Sequence, residues 1–395
     1  MGYETSQKQI CQKLPEELTA EGLPSGVEME PEAPFPFDAE KISISNKVVP
    51  LETLLRRLRQ QTISSPFIQR GEGIWGDDQQ SRLIESLMLR IPLPLFYVAA
   101  DINEKWKVVD GLQRITAMRR FILDGDFSLC GLEFLHDCEG KKFDSLSIIY
   151  QNRILETELQ FAVIGPSTPE NVQRNIFKRL NTGGMPLTAQ EIRHALYYGP
   201  SAELLQEFVG LNVFKKATGN VNDSRMAGRE LILRYLAFLI FGPDQYPSSG
   251  DMDSFLCNTM KIINNPTMNM KVIPQKPRIV DKIVLKEYFC RAMTRAEKLF
   301  GRYAFRKSLP GFNVPLTPVN KTLFEVWSYF LSMISDDMFS CLLDNKKLLY
   351  SRLNYDVYEK DDGKFLNSIS RYSHMLQSVQ YRYKVIKDLI LNITR

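Results

Sequence analysis

The chain has 395 residues and lacks several features that would assign it to a familiar class. It contains only three histidines, and they form no H-N-H nuclease motif. Its six cysteines have no C-x-x-C spacing, which indicates reduced thiols. The longest apolar run, Leu231 to Phe241, is interrupted by Arg234 and is too short for the roughly 18 residues that span a bilayer. With no signal peptide at the amino terminus, we expect a cytoplasmic protein without a membrane segment.

Charge is distributed unevenly along the chain. Residues 1–40 hold nine acidic and two basic side chains and are interrupted by five prolines. Such a segment cannot bury enough apolar surface to fold, so residues 1–44 are predicted to be an acidic, flexible tail. Residues 41–395 carry a net charge of +11, because the whole chain is +4 and residues 1–40 are −7. A basic folded part suits polyanionic partners such as nucleotides or DNA, and it leaves open whether the protein is a homo-oligomer.

The pattern of apolar residues predicts an α+β fold with two lobes. Residues 45–200 alternate strand and helix signals, whereas residues 201–395 are dominated by amphipathic helices. In the first lobe we predict helices near 50–60, from Asp77 to Ile91, near 146–155, at 168–181 and after Thr188. Asp77 is expected to cap the second of these helices, which is expected to bury Ile91. We also predict strands at 95–99, 106–109 and 159–163, and a hairpin-like segment at 127–143. In the second lobe we predict helices at 229–241, 253–263, 281–300, 321–335 and 375–392.

The turn at Asp110-Gly111 is the stretch most typical of a binding site. It connects an apolar strand to a helix that runs as far as Gly125, and the first amides of a helix have no partner within the helix. A helix start therefore favours an anion such as phosphate, Gly111 allows close approach, and Arg114 can supply a bidentate contact. The alternative interpretation is that Gly111 only makes a tight connection and that Arg114 is solvated.

Several segments together resemble the amino-terminal domain of GmrSD-type restriction endonucleases. The likeness extends over nearly everything after about residue 45. It is carried by Gln69-Arg70 before Trp75, Ile91-Pro92-Leu93-Pro94, Val109 to Arg114, Arg179-Leu180-Asn181-Thr182-Gly183-Gly184, Leu187-Thr188-x-x-Glu191, Arg225-Met226-x-x-Arg229-Glu230, Met252 to Leu256, and Arg382-Tyr383. The family is similar to the ParB and sulfiredoxin superfamily, which implies that the first lobe has a ParB/sulfiredoxin-like fold.

The resemblance implies a nucleotide site at the turn. Members of that superfamily place nucleotide phosphates on a glycine-arginine turn between strand and helix. By this likeness the catalytic residues are Asp110, Gln113 and Arg114, and Asp110 binds the metal ion or polarises water. The implied nucleotide-binding residues are Gln69, Arg70, Gly111, Leu112, Arg179, Asn181 and Gly183. The family turn usually reads D-G-Q-Q-R, so Leu112 replaces a glutamine here, which puts turnover or nucleotide choice in doubt.

Simpler interpretations of these residues stay open. Arg70 could form a surface ion pair with Glu72 or Asp77, because arginine suits carboxylates as well as phosphate. A glycine C-cap after Asn181 accounts for the glycines that follow it. The two tryptophans Trp75 and Trp106 are expected to pack in or beside the core.

A metal centre or nuclease site of another kind is not favoured. Cys130, His136 and Cys138 lie close in sequence, but they lack a fourth ligand and the usual spacing of a zinc site. The triplets beginning at Glu139 and Asp362 have the acid-x-lysine order of some nucleases, yet such triplets are common at turns.

The expected function is binding and hydrolysis of a nucleoside triphosphate with Mg²⁺, in a prokaryotic antiviral restriction system acting on foreign or modified DNA. The sequence does not distinguish GTP, ATP and CTP, and any nuclease would be a separate partner protein. The alternative is a non-catalytic DNA-binding or modification-sensing module, and a self-sufficient nuclease is a third hypothesis. The enzymatic interpretation depends on the loop near position 111 presenting bare amides and the Arg114 guanidinium to an anion. If that guanidinium instead bonds a carboxylate within the protein and side chains fill the pocket, only a folded basic scaffold remains.

Overall fold

The chain folds into two compact units, one spanning Phe35–Leu196 and the other spanning Tyr197–Arg395 and including Val27. The structure, a computed structural model, describes residue 27 and residues 43–64, 75–169, 172–174, 176, 188–267, 273–312, 314–360 and 362–395. The predicted tail, residues 1–44, lies outside the described residues except for Val27, Ser43 and Ile44. Val27 is buried and bridges Val319.

Five strands form one mixed sheet in the described part of the first unit. The strands are β1 (Ile44–Pro50), β2 (Ile63–Ser64), β3 (Phe96–Ala100), β4 (Trp106–Asp110) and β5 (Glu158–Ile164). Their spatial order is β1-β5-β3-β4-β2. The β3–β4 and β1–β5 pairs are antiparallel, whereas β3–β5 and β2–β4 are parallel. The predicted hairpin of β3 and β4 and the predicted strand β5 are confirmed.

Aromatic side chains of the central strands form the core of this unit. The rings of Phe96 and Phe161 are stacked with their centroids 5.1 Å apart, and the Trp106 ring lies 5.1 Å from Phe161. All three side chains are almost fully buried, as the sequence predicted for Trp106. Such contacts add about 0.5–1.5 kcal/mol each beyond the burial of apolar area. They fix β3, β4 and β5 as a rigid support for the residues at the strand ends.

The described part of this unit also contains five α-helices. They are α1 (Leu51–Arg59), α2 (Asp77–Met88), α3 (Leu112–Arg119), α4 (Ile148–Leu155) and α5 (Ala189–Leu196). A π-helical turn, Arg120–Asp124, extends α3 to Gly125, as predicted. The capping box at the start of α5 is confirmed, because Glu191 accepts from the amide of Thr188 at 2.6 Å and Thr188 Oγ1 accepts from the amide of Glu191 at 3.2 Å. Most of the helix predicted at 168–181 lies outside the described residues.

Three features of this unit differ from the sequence predictions or were missed by them. Helix α2 begins at Asp77 with Gly76 as its N-cap, so Asp77 does not cap it, and Ile91 is about half exposed. No element was predicted for β1, whose side chains are mostly exposed. The segment predicted as hairpin-like, 127–143, contains a 3₁₀ helix at His136–Cys138 and no strand. Its two ends are nevertheless joined by backbone hydrogen bonds, from the N–H of Leu129 to Lys141 at 3.0 Å and from the N–H of Gly140 to Leu129 at 2.7 Å.

The Glu85 side chain, on α2, organises that segment. The backbone N–H groups of Phe134 and Leu135 donate to Glu85 Oε1 at 2.7 Å, and that of Glu133 donates to Oε2 at 3.0 Å. Burial acts to raise the pKa of the Glu85 carboxyl, but the three backbone donors outweigh it, so the pKa lies below its ordinary value. The carboxylate therefore holds a segment that lacks regular backbone pairing.

The second unit is helical in its described part, and all five helices predicted there are present within two residues at each end. These are α8 (Ala227–Phe241), α9 (Met252–Asn264), α10 (Lys282–Phe300), α11 (Lys321–Met333) and α15 (Leu376–Thr394). The sequence missed shorter ones, namely α6 (Pro200–Gly210), α7 (Asn212–Thr218), α12 (Asp336–Asp344), α13 (Lys346–Arg352) and α14 (Lys364–Ser368). Among the helices of the described residues, none has both the length and the apolar character needed to cross a bilayer.

Buried charges join three of these helices. Glu325 on α11 is fully buried, and its carboxylate accepts from Arg234 of α8 at 3.1 Å and from Arg382 of α15. Arg382 also donates to the carbonyl oxygens of Ser368 and Ser373 at 3.2 and 2.6 Å. The α+β fold class is thus confirmed, while the likeness of the first unit to ParB and sulfiredoxin stays a prediction.

Candidate functional site

The turn between β4 and α3 requires glycine at position 111. Gly111 is the N-cap of α3 and has the left-handed backbone angles φ 92° and ψ 10°. A Cβ at this position would lie 2.3 Å from Cδ1 of Phe96, a distance that real Cβ atoms do not reach. Both the backbone angles and the contact with Phe96 therefore exclude a side chain here.

The start of α3 is electropositive. The N–H of Ile115 bonds to the carbonyl of Gly111 at 2.9 Å, so the hydrogen-bond ladder of the helix begins there. The amides before it, from Leu112 to Arg114, have no partner within the helix. No side chain caps this end, and its first turn contains no acidic residue. The helix dipole and these amides together favour an anion at the turn.

Asp110 provides the one carboxylate of this turn. It ends β4, and its side chain is 36% exposed. Its Oδ2 accepts a hydrogen bond from Nη2 of Arg114 at 3.0 Å. The other carboxylate oxygen, Oδ1, has no hydrogen bond among the described residues. Asp110 is therefore partly held by the protein and partly open to solvent.

Arg114 faces the protein. Its guanidinium donates to the carbonyl oxygen of Pro94, to that of Leu95 at 3.3 Å and to Asp110. Its Cζ lies 4.2 Å from the ring centroid of Phe96, and only 11% of the side chain is exposed. Burial lowers the pKa of the Arg114 guanidinium from its ordinary value, and the Asp110 carboxylate opposes that shift. The bond from Arg114 to Asp110 is a contact with a carboxylate of the protein itself, and such a contact argues against phosphate binding by the Arg114 guanidinium.

The described residues contain one half of the predicted site. Asp110, Gly111, Leu112, Gln113 and Arg114 lie together at the turn. Leu112 packs against the apolar core, so the residue that replaces the family's glutamine supplies apolar packing. Lying outside the described residues are Gln69, Arg70, Arg179, Asn181 and Gly183.

The structure adds three residues that the sequence did not assign to the site. Pro94, Leu95 and Phe96 contact the Arg114 side chain through two carbonyl oxygens and one ring. The motif Ile91-Pro92-Leu93-Pro94, which directly precedes Leu95 and Phe96, could have indicated these residues, but it entered only as part of the family resemblance.

A comparison with known families matches this region. Residues 51–198 match the family described as GmrSD restriction endonuclease, N-terminal domain. This stretch, less than half of the chain, is similar to that family, and we call it the GmrSD-type domain. The match includes the helices and strands from α1 to α5 and contains the turn at Gly111. Among curated proteins and among solved structures, none matches the chain.

The match to the GmrSD-type domain ends at residue 198, before the first helix of the helical unit. The likeness traced further along the chain, through Arg229-Glu230 to Arg382-Tyr383, stays a prediction. In the structure these residues have internal partners, because Arg229 bonds Asp223 at 2.9 Å, and Glu230 bonds Lys321 at 3.0 Å.

The carboxylate of Asp110 could contact a metal ion that is already bound to the phosphates of a ligand. Within the described residues, no group of three or more His, Cys, Asp or Glu side chains could hold a metal by itself. Mg²⁺ commonly takes only one or two protein carboxylates and obtains its other ligands from phosphates and water. A single partly exposed carboxylate at Asp110 agrees with such a site.

Proposed function

We propose that the GmrSD-type domain binds a nucleoside triphosphate with Mg²⁺ at the turn between β4 and α3, and hydrolyses it. The proposal places the protein in a restriction-type defence system that acts on foreign or modified DNA, with a separate protein as the nuclease. The family match supports the restriction-type role, because the family is named for a restriction endonuclease.

One observation carries the proposal. An uncapped helix start follows a left-handed glycine at the end of a central strand, with a partly exposed carboxylate directly before that glycine. The amides of Leu112, Gln113 and Arg114 provide hydrogen bonds for phosphate oxygens without any rearrangement of side chains. Phosphoryl transfer depends mainly on positioning and on neutralising charge, which are the two things this turn supplies.

Asp110 and Gln113 have separate roles in this proposal. Asp110 holds the metal ion or polarises the attacking water, and Gln113 orients the water or the phosphate from the first turn of α3. Bound Mg²⁺ would neutralise charge on the phosphate oxygens. The remaining contacts, from Gln69, Arg70, Arg179, Asn181 and Gly183, are proposed from the resemblance alone.

Phosphate release tests the proposal directly. We expect the purified full chain to release phosphate from ATP, GTP or CTP in the presence of Mg²⁺, and we expect Asp110→Asn to abolish release while the protein stays folded. Asp124→Asn is the matched control, because Asp124 follows α3 and forms a surface ion pair with Arg119 at 2.9 Å. It should retain the wild-type rate. Equal loss in both variants, or no release by the wild-type protein, would contradict the proposal.

A second candidate function is supported by the orientation of Arg114. Because its guanidinium bonds within the protein, the turn could receive a DNA phosphate or a modified base without turnover. This non-catalytic sensor predicts no phosphate release and a DNA affinity that falls steeply with salt concentration. Cleavage of plasmid by the purified protein would instead favour a self-sufficient nuclease.

A further inference from the structure

We infer that Arg114 is a positioning residue, which acts on the bound nucleotide through Asp110 and does not itself bind phosphate. This inference rests on the proposed function for its ligand, but its structural basis is independent of that ligand. It also assigns a role to the motif Ile91-Pro92-Leu93-Pro94, which the proposed function leaves unexplained.

The guanidinium joins two segments that are distant in sequence. On one side are the carbonyl oxygens of Pro94 and Leu95, at the entrance to β3, and on the other is Oδ2 of Asp110, at the end of β4. The guanidinium also lies on the buried ring of Phe96. Three acceptors and one aromatic face fix both the position and the plane of the group.

Proline at position 94 suits this arrangement. Pro94 has no N–H, and its ring fixes φ, so the segment before β3 is restricted to an extended course. In this extended course the Pro94 carbonyl accepts from the side chain of Arg114. Only arginine has a planar group that can reach two adjacent carbonyls and a carboxylate at once, whereas lysine offers a single ammonium. The motif before β3 and the arginine of the turn are thus two parts of one contact.

The consequence for the ligand concerns the two oxygens of Asp110. Arg114 occupies Oδ2, so Oδ1 is the oxygen that remains for a metal ion. The guanidinium holds the carboxylate beside the helix start, where an anion would sit, and its charge offsets part of the carboxylate's repulsion of that anion. Loss of Arg114 should therefore weaken the metal contact more than the phosphate contact.

Binding measurements separate the two roles. We would titrate Mg²⁺ at a fixed concentration of the nucleotide that the wild-type protein binds, and would also measure the nucleotide Kd at saturating Mg²⁺. A positioning role predicts that Arg114→Lys raises the half-saturating Mg²⁺ concentration several-fold and changes the nucleotide Kd by less than about twofold. A phosphate ligand predicts a Kd weaker by about tenfold or more, because a hydrogen bond to a charged group would be lost. That result would overturn the inference.

The control is Arg119→Lys, on the same helix, since Arg119 pairs with Asp124 outside the turn. It should match the wild-type protein in both titrations. Should Arg114→Lys fail to fold, Arg114→Gln retains a donor for the carbonyl oxygens and repeats the comparison.

A double-mutant cycle tests the contact even if the wild-type protein binds no nucleotide. We would compare the unfolding midpoints in urea of Asp110→Asn, Arg114→Gln and the variant that carries both changes. If the side chains stabilise each other, the double variant should lose clearly less than the sum of the two single losses. Strictly additive losses would refute the contact, whereas absence of nucleotide binding in the wild-type protein would refute only the proposed function.

Discussion

At the scale of single residues, Gly111 combines two requirements that no other residue satisfies. We expect Gly111→Ala to lower the free energy of unfolding by about 2–5 kcal/mol, which is the sum of the left-handed backbone penalty and of overpacking against Phe96. Urea denaturation followed by circular dichroism measures this loss. Phosphate release should fall as well, because the first amides of α3 would move.

Gly125→Ala is the matched control for this prediction. Gly125 is also left-handed, with φ 65°, but a Cβ there meets nothing within 4 Å. For Gly125→Ala the free energy of unfolding should fall by only about 1–2 kcal/mol, from the left-handed backbone penalty. Equal losses in the two variants would show that the contact with Phe96 has no importance.

The sequence indicated the turn at Gly111 but not the direction of Arg114. A strand signal, a glycine and a helix signal in succession are local, and they located the helix start within one residue. The orientation of Arg114 depends on Pro94 and Leu95, which precede it by about twenty residues and contact it only in the folded chain. Sequence spacing carries no information on which of several nearby acceptors a long side chain will reach.

At the scale of elements, Glu85 connects α2 to the segment 133–135. We expect Glu85→Gln to destabilise the protein by about 2–4 kcal/mol at pH 7, because an amide presents one acceptor where the carboxylate presents two charged ones. The folded pKa of Glu85 is depressed, so its contribution is complete above the unfolded pKa and is lost as pH falls through the folded pKa.

Unfolding at pH 7 and at several values below 4.5 tests this prediction. The wild-type protein should lose stability with acid more steeply than Glu85→Gln does. Glu133→Gln is the control, since the pair of Glu133 and Arg82 is about half exposed and should contribute less than about 1 kcal/mol. Parallel pH profiles for the wild-type protein and Glu85→Gln would contradict the expectation.

Elements with strong local periodicity were predictable, and those held by distant partners were not. The β3–β4 hairpin has apolar strands around a short turn, and helices such as α8 and α10 have long apolar faces. Strand β1 is different, because only Val49 of its seven residues is buried and its position depends on backbone pairing with β5. Segment 127–143 likewise depends on Glu85, which no pattern within the segment could reveal.

At the scale of the molecule, one buried carboxylate balances two buried guanidinium groups in the helical unit. Glu325→Gln should lower the free energy of unfolding by about 3–5 kcal/mol, because Arg234 and Arg382 would lose their shared counter-charge within the core. The loss should appear in urea denaturation of the full chain.

The control for this prediction is Glu207→Gln. Glu207 pairs with Lys286 at 2.6 Å, and both side chains are about half exposed. Its removal should leave the urea midpoint almost unchanged. A small effect of Glu325→Gln would mean that Glu230, 3.7 Å from Arg234, and the carbonyl oxygens bonded to Arg382 are enough for the two arginines.

The bridge between Val27 and Val319 has a consequence for how the protein is made. Residues 35–196 leave the ribosome as one uninterrupted stretch, so the sheet can assemble while synthesis continues. Val27 is translated before that stretch and its partner Val319 after it, so the helical unit joins residues made before the sheet to residues made after it. Expression of a version shortened to begin at residue 43 would therefore remove a buried valine from the helical unit.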